Sequence, residues 1–326
     1  MASGKWAIVV HGGAGVIERS RLMPEQEQAY RAALAHVTQV GATLLEQGGS
    51  ALDAIEAAIC LLEDDPLFNA GRGAAFSADG RNELDAAIMD GATLQAGAVA
   101  GITRTRHPIS LARAVMAHSP HVMLIGAPAD AYAASQGLEQ VDPAYFYAPQ
   151  RWRSLERFLV AEGLPIPAKP QGGSDASKAD LVHDEGKHGT VGVVALDRAG
   201  HVAAGTSTGG MTGKRWGRVG DSPIIGAGTY ASNASCAVSA TGSGEYFVRL
   251  AVAHAIAARV ELKGMSLQAA ADEVIQNKLA ALGGDGGVIA VAPDGQIAWS
   301  FNTPGMYRAR ASEGQSMVVG IYGDEL

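Results

Sequence analysis

His188-Gly189-Thr190-Val191-Gly192 stands where a polar stretch of the chain gives way to an apolar one. If the Gly189–Thr190 bond is cut, Thr190 carries a hydroxyl and a free α-amine on the same Cα. An α-amine titrates near about pH 8, so at neutral pH a useful fraction is unprotonated and can take the hydroxyl proton. Left uncut, the same threonine is a good first residue of a β-strand. The stretch therefore predicts either a self-activating nucleophile or the start of a strand.

The composition of the chain excludes several classes of protein. The chain has 326 residues, of which 47% are hydrophobic, and no clear inter-domain linker, which predicts one globular unit. A net charge of −8 with scattered lysines and arginines argues against nucleic acid and favours small neutral or zwitterionic partners. Apolar runs are too short for a signal-peptide core or a membrane span, and Cys60 and Cys236 are too few for a disulfide framework. We expect a cytoplasmic protein with buried, unpaired thiols.

Hydrophobic periodicity and turn residues predict blocks of helices and strands. Helices are expected at Pro24–Glu46, after a Ser50 cap, at Pro108–His118, from Pro128, at 245–261 and at 267–282. Strands are expected at 5–10, 83–89, 93–102, 122–125, 190–196, Val202–Thr208, 288–292, 296–302 and 317–322. A turn is expected at 11–15. The block order indicates an α+β protein with two stacked antiparallel sheets and helices outside.

Residues from about 166 to 189 differ from the rest of the chain. They are polar, rich in glycine and serine at first, and without apolar period. This composition predicts a flexible connector that ends at the Gly189–Thr190 bond.

Four motifs follow one another in the second half of the chain. They are His-Gly-Thr-Val-Gly at 188–192, Thr-Ser-Thr-Gly-Gly at 206–210, Gly-Arg-Val-Gly-Asp-Ser-Pro at 217–223 and Thr-Gly-Ser-Gly-Glu at 241–245. This set resembles the plant-type L-asparaginases, also called isoaspartyl peptidases, of the N-terminal-nucleophile hydrolases. Segments 11–15, 67–71, 83–86 and 89–91 belong to the same match. The resemblance spans nearly the whole chain except the connector.

The resemblance implies an inactive precursor that cuts itself between Gly189 and Thr190. Residues 1–189 and 190–326 would remain together in one four-layer αββα sandwich. Thr190 Oγ would attack the Gly189 carbonyl, and the N-to-O shift would leave an ester that water opens. Gly189 has no side chain to obstruct that attack or the strained backbone it needs. The family usually works as a dimer of cleaved heterodimers.

Catalytic roles also come from the resemblance. Thr190 would be the nucleophile with its own amine as base, and Thr208 and Asn69 would lie beside it. The Thr241 hydroxyl and the Gly242 amide would form the oxyanion hole, a kind of donor set whose members contribute about 3 kcal/mol each. A phosphate-loop interpretation of 241–244 is weak because the lysine of that motif is missing.

Arg218 and Asp221 lie three residues apart on a glycine-containing loop. By resemblance they form a clamp for an aspartyl group, with Arg218 on the α-carboxylate and Asp221 on the α-ammonium. Gly244 belongs to the same substrate-binding set. The alternative is an ordinary surface ion pair between the two side chains.

The segment around Asn69 resembles the sodium loop of the family. The main-chain carbonyls implied as ligands are those of Leu62, Glu63, Asp65, Phe68, Ala70 and Arg72. The ion would stiffen the loop, and no cofactor is expected for catalysis, since the histidines lack paired ligand spacing. Two departures from the family pattern are Gly213, where asparagine is frequent, and Arg72, where an apolar residue or lysine is frequent.

The reaction implied is hydrolysis of β-aspartyl dipeptides and L-asparagine to L-aspartate through a threonyl ester. A glycosylasparaginase-type amidase is the nearest enzymatic alternative. A binding protein on the same scaffold that never matures, or a glycine-loop nucleotide binder, are the alternatives from other classes.

Overall fold

The computed structural model of the chain describes residues 4–170 and 189–325. The helices are α1 Pro24–Glu46, α2 Ala51–Asp64, α3 Pro108–His118, α4 Gly126–Ser135, α5 Pro149–Ala161, α6 Gly244–Leu250, α7 Val252–Lys263 and α8 Leu267–Asp272. A π-helical segment, Glu273–Leu279, continues α8. The strands are β1 Ala7–Gly15, β2 Leu84–Asp90, β3 Ala96–Ile102, β4 Met123–Ile125, β5 Val191–Leu196, β6 Val202–Thr208, β7 Thr229–Ala231, β8 Ala237–Gly242, β9 Gly286–Val291, β10 Ile297–Phe301, β11 Gly305–Ser312 and β12 Gln315–Tyr322.

The strands form two sheets. The larger sheet has eight strands in the order β12-β11-β1-β5-β6-β2-β3-β4, and the smaller has four in the order β10-β9-β8-β7. Strands from both sides of Thr190 alternate in the larger sheet, where β1 lies between β11 and β5. Because hydrogen bonds cross between the two parts of the chain at several places, they share one structural unit.

Apolar side chains hold four layers together. Val9, Val194 and Ala204 of the larger sheet meet Ile289 and Val291 of the smaller sheet in a buried cluster between them. Helices α1, α2 and α3 cover the outer face of the larger sheet, and α7 and α8 cover the smaller sheet. The predicted αββα sandwich is confirmed. Among the described residues, no helix combines the length and the apolar character that crossing a bilayer requires.

Three sequence predictions about the elements were wrong. The expected antiparallel sheet is mixed, since β4 pairs with β3 in parallel. The turn expected at 11–15 is the end of β1, which changes register between His11 and Gly13 through a β-bulge with Gly13 at φ 117°. The single helix expected at 245–261 is two helices, because Ala251 adopts the left-handed conformation with φ 47°.

Sequence patterns also missed α5, β7, β8 and β11. β8 consists mainly of small residues that are all buried, and β11 is buried along most of its length. A strand that is covered on both faces shows no apolar–polar alternation, so periodicity does not reveal it.

Helix α2 positions the loop that follows it. Ser50 caps the helix by accepting a hydrogen bond from the Asp53 amide at 3.1 Å, as predicted. Ile55 and Ile59 are buried on the face that packs against the larger sheet. The helix ends at Asp64, two residues before Pro66, which agrees with the restriction that proline places on its predecessor.

Ser50→Ala should lower the free energy of unfolding by about 1 kcal/mol, because an orphan amide at the start of α2 loses its acceptor. Ser50→Asp is the control, since aspartate caps a helix equally well and should restore most of the loss. Urea unfolding followed by circular dichroism measures both variants. Equal stability of the alanine and aspartate variants would contradict the capping role.

Candidate active site

Thr190 lies directly before β5 and is 7% exposed. Its Oγ1 donates a hydrogen bond to Oγ1 of Thr208 at 3.1 Å. The sheet register creates this contact, because Val191 pairs with Ser207 and so places the ends of β5 and β6 side by side. The Gly210 amide also donates to Thr208 Oγ1, at 3.0 Å. Thr208 is therefore a double acceptor that fixes the direction of the Thr190 hydroxyl.

A small cavity opens beside this pair of threonines. Its volume is about 10 Å³, room for about one water molecule. It is lined by Thr190, Thr208, Gly210, Met211, Arg218, Gly220, Asp221, Ser222 and Gly242. The chain is continuous through Gly189 and Thr190, so the nitrogen of Thr190 is an amide here. The structure thus brings the predicted nucleophile, the predicted clamp and Gly242 to one place in the uncut chain.

Asn69 acts on the segment after β6. Its Nδ2 donates to the Gly210 carbonyl at 2.7 Å, and its Oδ1 accepts from the Ala75 amide at 2.7 Å. Its own carbonyl accepts from the Gly209 amide at 3.0 Å. Both ends of the Asn69 side chain are engaged by main chain. Asn69 therefore reaches Thr190 through Gly210 and Thr208.

Thr241 and Gly242 form the end of β8. Thr241 is fully buried, and its Oγ1 accepts a hydrogen bond from the Ala14 amide at 3.3 Å. That contact leaves the hydroxyl proton of Thr241 for another acceptor. Gly242 lines the cavity, whereas Thr241 is not one of its lining residues. A Cβ on Gly242 would lie 2.4 Å from the Asp285 carbonyl, so only glycine fits.

Arg218 and Asp221 both reach the cavity but do not pair as a surface ion pair. Arg218 donates from Nε and Nη2 to the two carboxylate oxygens of Glu245, at 2.8 and 3.1 Å. Asp221 is 3% exposed, and its Oδ2 has no hydrogen-bond partner among the described residues. Burial raises the pKa of Asp221 to about 7, although the Arg218 charge acts in the opposite direction. A Cβ on Gly244 would lie 3.0 Å from Asp221 Oδ1, so glycine leaves room for the clamp.

A buried charge cluster behind the cavity was missed by sequence reasoning. Lys214 donates from Nζ to the Glu83 carbonyl at 2.6 Å, and a Cβ on Gly210 would lie 3.1 Å from Nζ. Asp85 is buried beside it, and burial raises the pKa of this carboxyl while Lys214 lowers it. Glu83 and Asp85 lie in a segment that belongs to the family match, and Glu245 ends the 241–245 motif, but no role was assigned to any of the three. Their local pattern is only that of strand residues and of an acidic first-turn residue of α6.

The loop predicted to hold sodium folds back on the end of α2. Gly71, with φ 49°, is packed so closely that a Cβ there would lie 2.3 Å from the Glu63 carbonyl. The Glu63 carbonyl therefore packs directly against Gly71. The carbonyls of Asp65 and Ala70 accept hydrogen bonds from Phe68 and Gly73. No group of metal-binding side chains occurs in the described part of the chain.

The Glu63 side chain has a separate structural role. It is fully buried, and its Oε1 accepts from Ser207 Oγ at 2.6 Å and from the Ile109 amide at 3.1 Å. Burial raises the pKa of Glu63 to about 8. Since Ser207 precedes Thr208, this contact fixes the last turn of α2 against the strand that carries Thr208.

The two departures from the family pattern have structural reasons. Gly213 has φ 72°, and a Cβ there would lie 2.1 Å from the Phe158 ring. Arg72 places its guanidinium over the Tyr145 ring at 5.7 Å. Cys236 is buried as expected, whereas Cys60 is only partly so, and both are free thiols.

Comparison with known proteins shows the family to which the chain belongs. The sequence model of the family described as Asparaginase matches residues 4–321, so the chain belongs to this family. The isoaspartyl peptidase of Salmonella typhimurium is 50% identical over 318 residues, covering 98% of this chain and 99% of the relative. The isoaspartyl peptidase of Escherichia coli K12 is 49% identical, with 98% and 97% covered. The plant-type L-asparaginase of Pyrococcus abyssi is 42% identical, with 95% and 97% covered.

Asp221→Asn should stabilise the intact chain at alkaline pH relative to the parent protein. Because the folded pKa is raised to about 7, the folded state binds this proton more tightly than the unfolded chain does. The stabilisation of the folded state by this bound proton is fully present below about pH 4 and is lost as pH rises through the folded pKa. Asparagine does not titrate.

The check is urea unfolding between about pH 5 and about pH 8, with both proteins carrying Thr190→Ala so that their chains stay intact. The stability difference between the variant and the parent should grow with pH in favour of asparagine. Glu245→Gln, at an exposed carboxylate of the same site, is the control and should show little such trend. A pH-independent difference for Asp221→Asn would contradict the raised pKa.

Proposed function

We propose that this protein is a self-activating threonine amidohydrolase that releases L-aspartate from β-aspartyl dipeptides and L-asparagine. The observation that carries the proposal is the single cavity in which Thr190, bonded to Thr208, faces Arg218 and Asp221. The names of the relatives, isoaspartyl peptidase and L-asparaginase, support the same substrates. The glycosylasparaginase alternative has no such support here.

Activation is the first reaction of the site. Thr190 Oγ attacks the Gly189 carbonyl carbon, and the hydroxyl proton passes to the Thr190 nitrogen as the C–N bond breaks. Water then hydrolyses the ester, which leaves a carboxylate on Gly189 and both an amine and a hydroxyl on Thr190. The Thr208 acceptor, at 3.1 Å, holds the hydroxyl in place before attack.

Substrate turnover repeats the same chemistry on a bound aspartyl group. The Thr190 amine takes the hydroxyl proton, Oγ attacks the side-chain amide carbon, and the leaving amine receives the proton as its C–N bond breaks. The Thr241 hydroxyl proton and the Gly242 amide stabilise the oxyanion. Water then attacks the threonyl ester and releases aspartate.

The clamp explains why the substrate is an α-amino acid. Arg218 offers a planar fork for the α-carboxylate, and it is already oriented by Glu245. The unpartnered Oδ2 of Asp221 is the acceptor for the α-ammonium. A buried carboxylate without a partner is costly, so a substrate ammonium supplies the charge that this site lacks.

The cavity beside Thr190 is smaller than the proposed substrate. At about 10 Å³ it holds about one water and no aspartyl group. The intact chain should therefore bind substrate poorly, and scission before Thr190 should precede turnover.

Further features of the proposal concern assembly and ions. Residues 1–189 and 190–326 would stay together after scission because their strands alternate in the larger sheet. The cleaved unit would pair into a homodimer of heterodimers. Sodium held by the carbonyls of the 62–72 loop would stiffen the segment that carries Asn69. A cytoplasmic location suits the free thiols.

Thr190→Ala should leave the chain uncut and lower ammonia release from L-asparagine by at least about 1000-fold, because both reactions lose their nucleophile. Thr190→Ser keeps a hydroxyl and an amine and should retain part of both activities. Intact-mass measurement and N-terminal sequencing check the result, with a new terminus Thr-Val-Gly-Val expected for the parent protein. An active parent chain that remains in one piece would refute the proposal.

Arg218→Lys should raise KM for L-asparagine by at least about tenfold, since loss of a paired hydrogen bond to a charged group costs about 1.5–3 kcal/mol. Glu245→Gln is the matched comparison. It removes an exposed partner of Arg218, a kind of pair worth about 0–1 kcal/mol, and should change KM by less than about fivefold. Steady-state kinetics at fixed pH distinguish them. A larger effect from Glu245→Gln than from Arg218→Lys would argue against the clamp.

A further inference from the structure

His11 is a buried histidine that the mechanism above does not use. It is 0% exposed and lies on β1, where it pairs with Gly192 of β5, two residues after Thr190. A Cβ on Gly192 would lie 2.3 Å from His11 Nε2 and 1.9 Å from Ser239 Oγ. The absence of a side chain at Gly192 therefore lets the ring reach across to the smaller sheet.

A chain of polar side chains continues from His11 through the interface between the sheets. Nε2 of His11 and Oγ of Ser239 share a hydrogen bond of 2.9 Å, and Ser239 Oγ lies 2.7 Å from Thr206 Oγ1. Thr229 Oγ1 lies 2.7 Å from Thr206 Oγ1 and 3.0 Å from the carbonyl of Ser222, which lines the cavity. All four side chains, from His11 to Thr229, are fully buried. A satisfied polar network in an apolar interface fixes one arrangement of the groups it joins.

The ring of His11 is neutral. Burial lowers the pKa of His11 to about 3, and the nearby backbone of Thr190 acts in the opposite direction. Nε2 is engaged by Ser239, and Nδ1 has no hydrogen-bond partner among the described residues. Nδ1 is therefore the nitrogen available to the main chain of Thr190. A neutral ring also places no second positive charge beside the amine that Thr190 acquires on scission.

We propose that His11 is a positioning residue for Thr190. Anchored on Ser239, the ring holds the main chain of the nucleophile and thereby sets where its hydroxyl and its amine point. This inference rests on the proposed function, in which Thr190 is the attacking residue. It gives a role to the His-Gly-Gly-Ala-Gly segment of β1, whose Ala14 amide already holds Thr241 on the other side of the site.

The test compares His11→Asn with His11→Gln. An asparagine amide reaches the position of Nδ1, and a glutamine amide reaches the position of Nε2. The asparagine variant should keep kcat for L-asparagine within about fivefold of the parent, and the glutamine variant should lose at least about tenfold. KM should stay within about twofold for both, since Arg218 and Asp221 are untouched. Equal kcat for the two variants, or an effect confined to KM, would overturn the inference.

Ser239→Ala and Thr105→Val form a second, matched comparison. Each removes one buried hydroxyl, and Thr105 donates to Asp130 at 2.8 Å in a region that contributes nothing to the cavity. Both variants should melt at a similarly reduced temperature. Only Ser239→Ala should lower kcat, by about two- to fivefold, and slow scission before Thr190. Equal kcat for both variants would reject the role of the anchor.

These outcomes separate the inference from the proposed function. If the parent chain is cut before Thr190 and active, while the His11 and Ser239 variants behave like the parent, only the positioning role fails. If the active parent is never cut, the proposed function fails as well.

Discussion

The pairing of β5 with both β6 and β1 is the constraint on which the site depends. Register places Thr190 beside Thr208 through the Val191–Ser207 pair, and it places His11 over Gly192. Because side chains alternate between the faces of a sheet, a slip of one residue would turn Thr190 away from the cavity. The apolar cluster between the sheets fixes this register, since Val193 and Val194 are buried on opposite faces of β5.

Buried charged side chains are a second feature of the site and of the residues around it. Asp221 and Asp85 are both buried with raised pKa values, and Lys214 and Arg218 are the cations that act on them. Removing carboxylates from water costs several kcal/mol each unless a partner is supplied. Under the proposed function, a zwitterionic substrate would supply the complementary charge at this place.

In this member of the Asparaginase family, main-chain groups hold several side chains of the candidate site in place. Amides of Ala14 and Gly210 hold the Thr241 and Thr208 hydroxyls, and Gly242 and Gly244 are packed too closely for a side chain. Main-chain donors are fixed by the sheets and cannot rotate away.

The sequence alone determined the long helices α1 and α3 and the two strands that follow Thr190, because their periodicity is local. It also supplied the motifs by which Thr190, Arg218 and Asp221 became candidates. Only the tertiary structure decided that Arg218 pairs with Glu245, that Lys214 lies behind Gly210, and that His11 joins Ser239. The His11–Ser239 contact links residues 228 positions apart. Contacts of that kind depend on the order and stacking of the sheets, which no local sequence pattern encodes. The sequence therefore identified candidate side chains, and the packing of the two sheets decided which side chains contact one another.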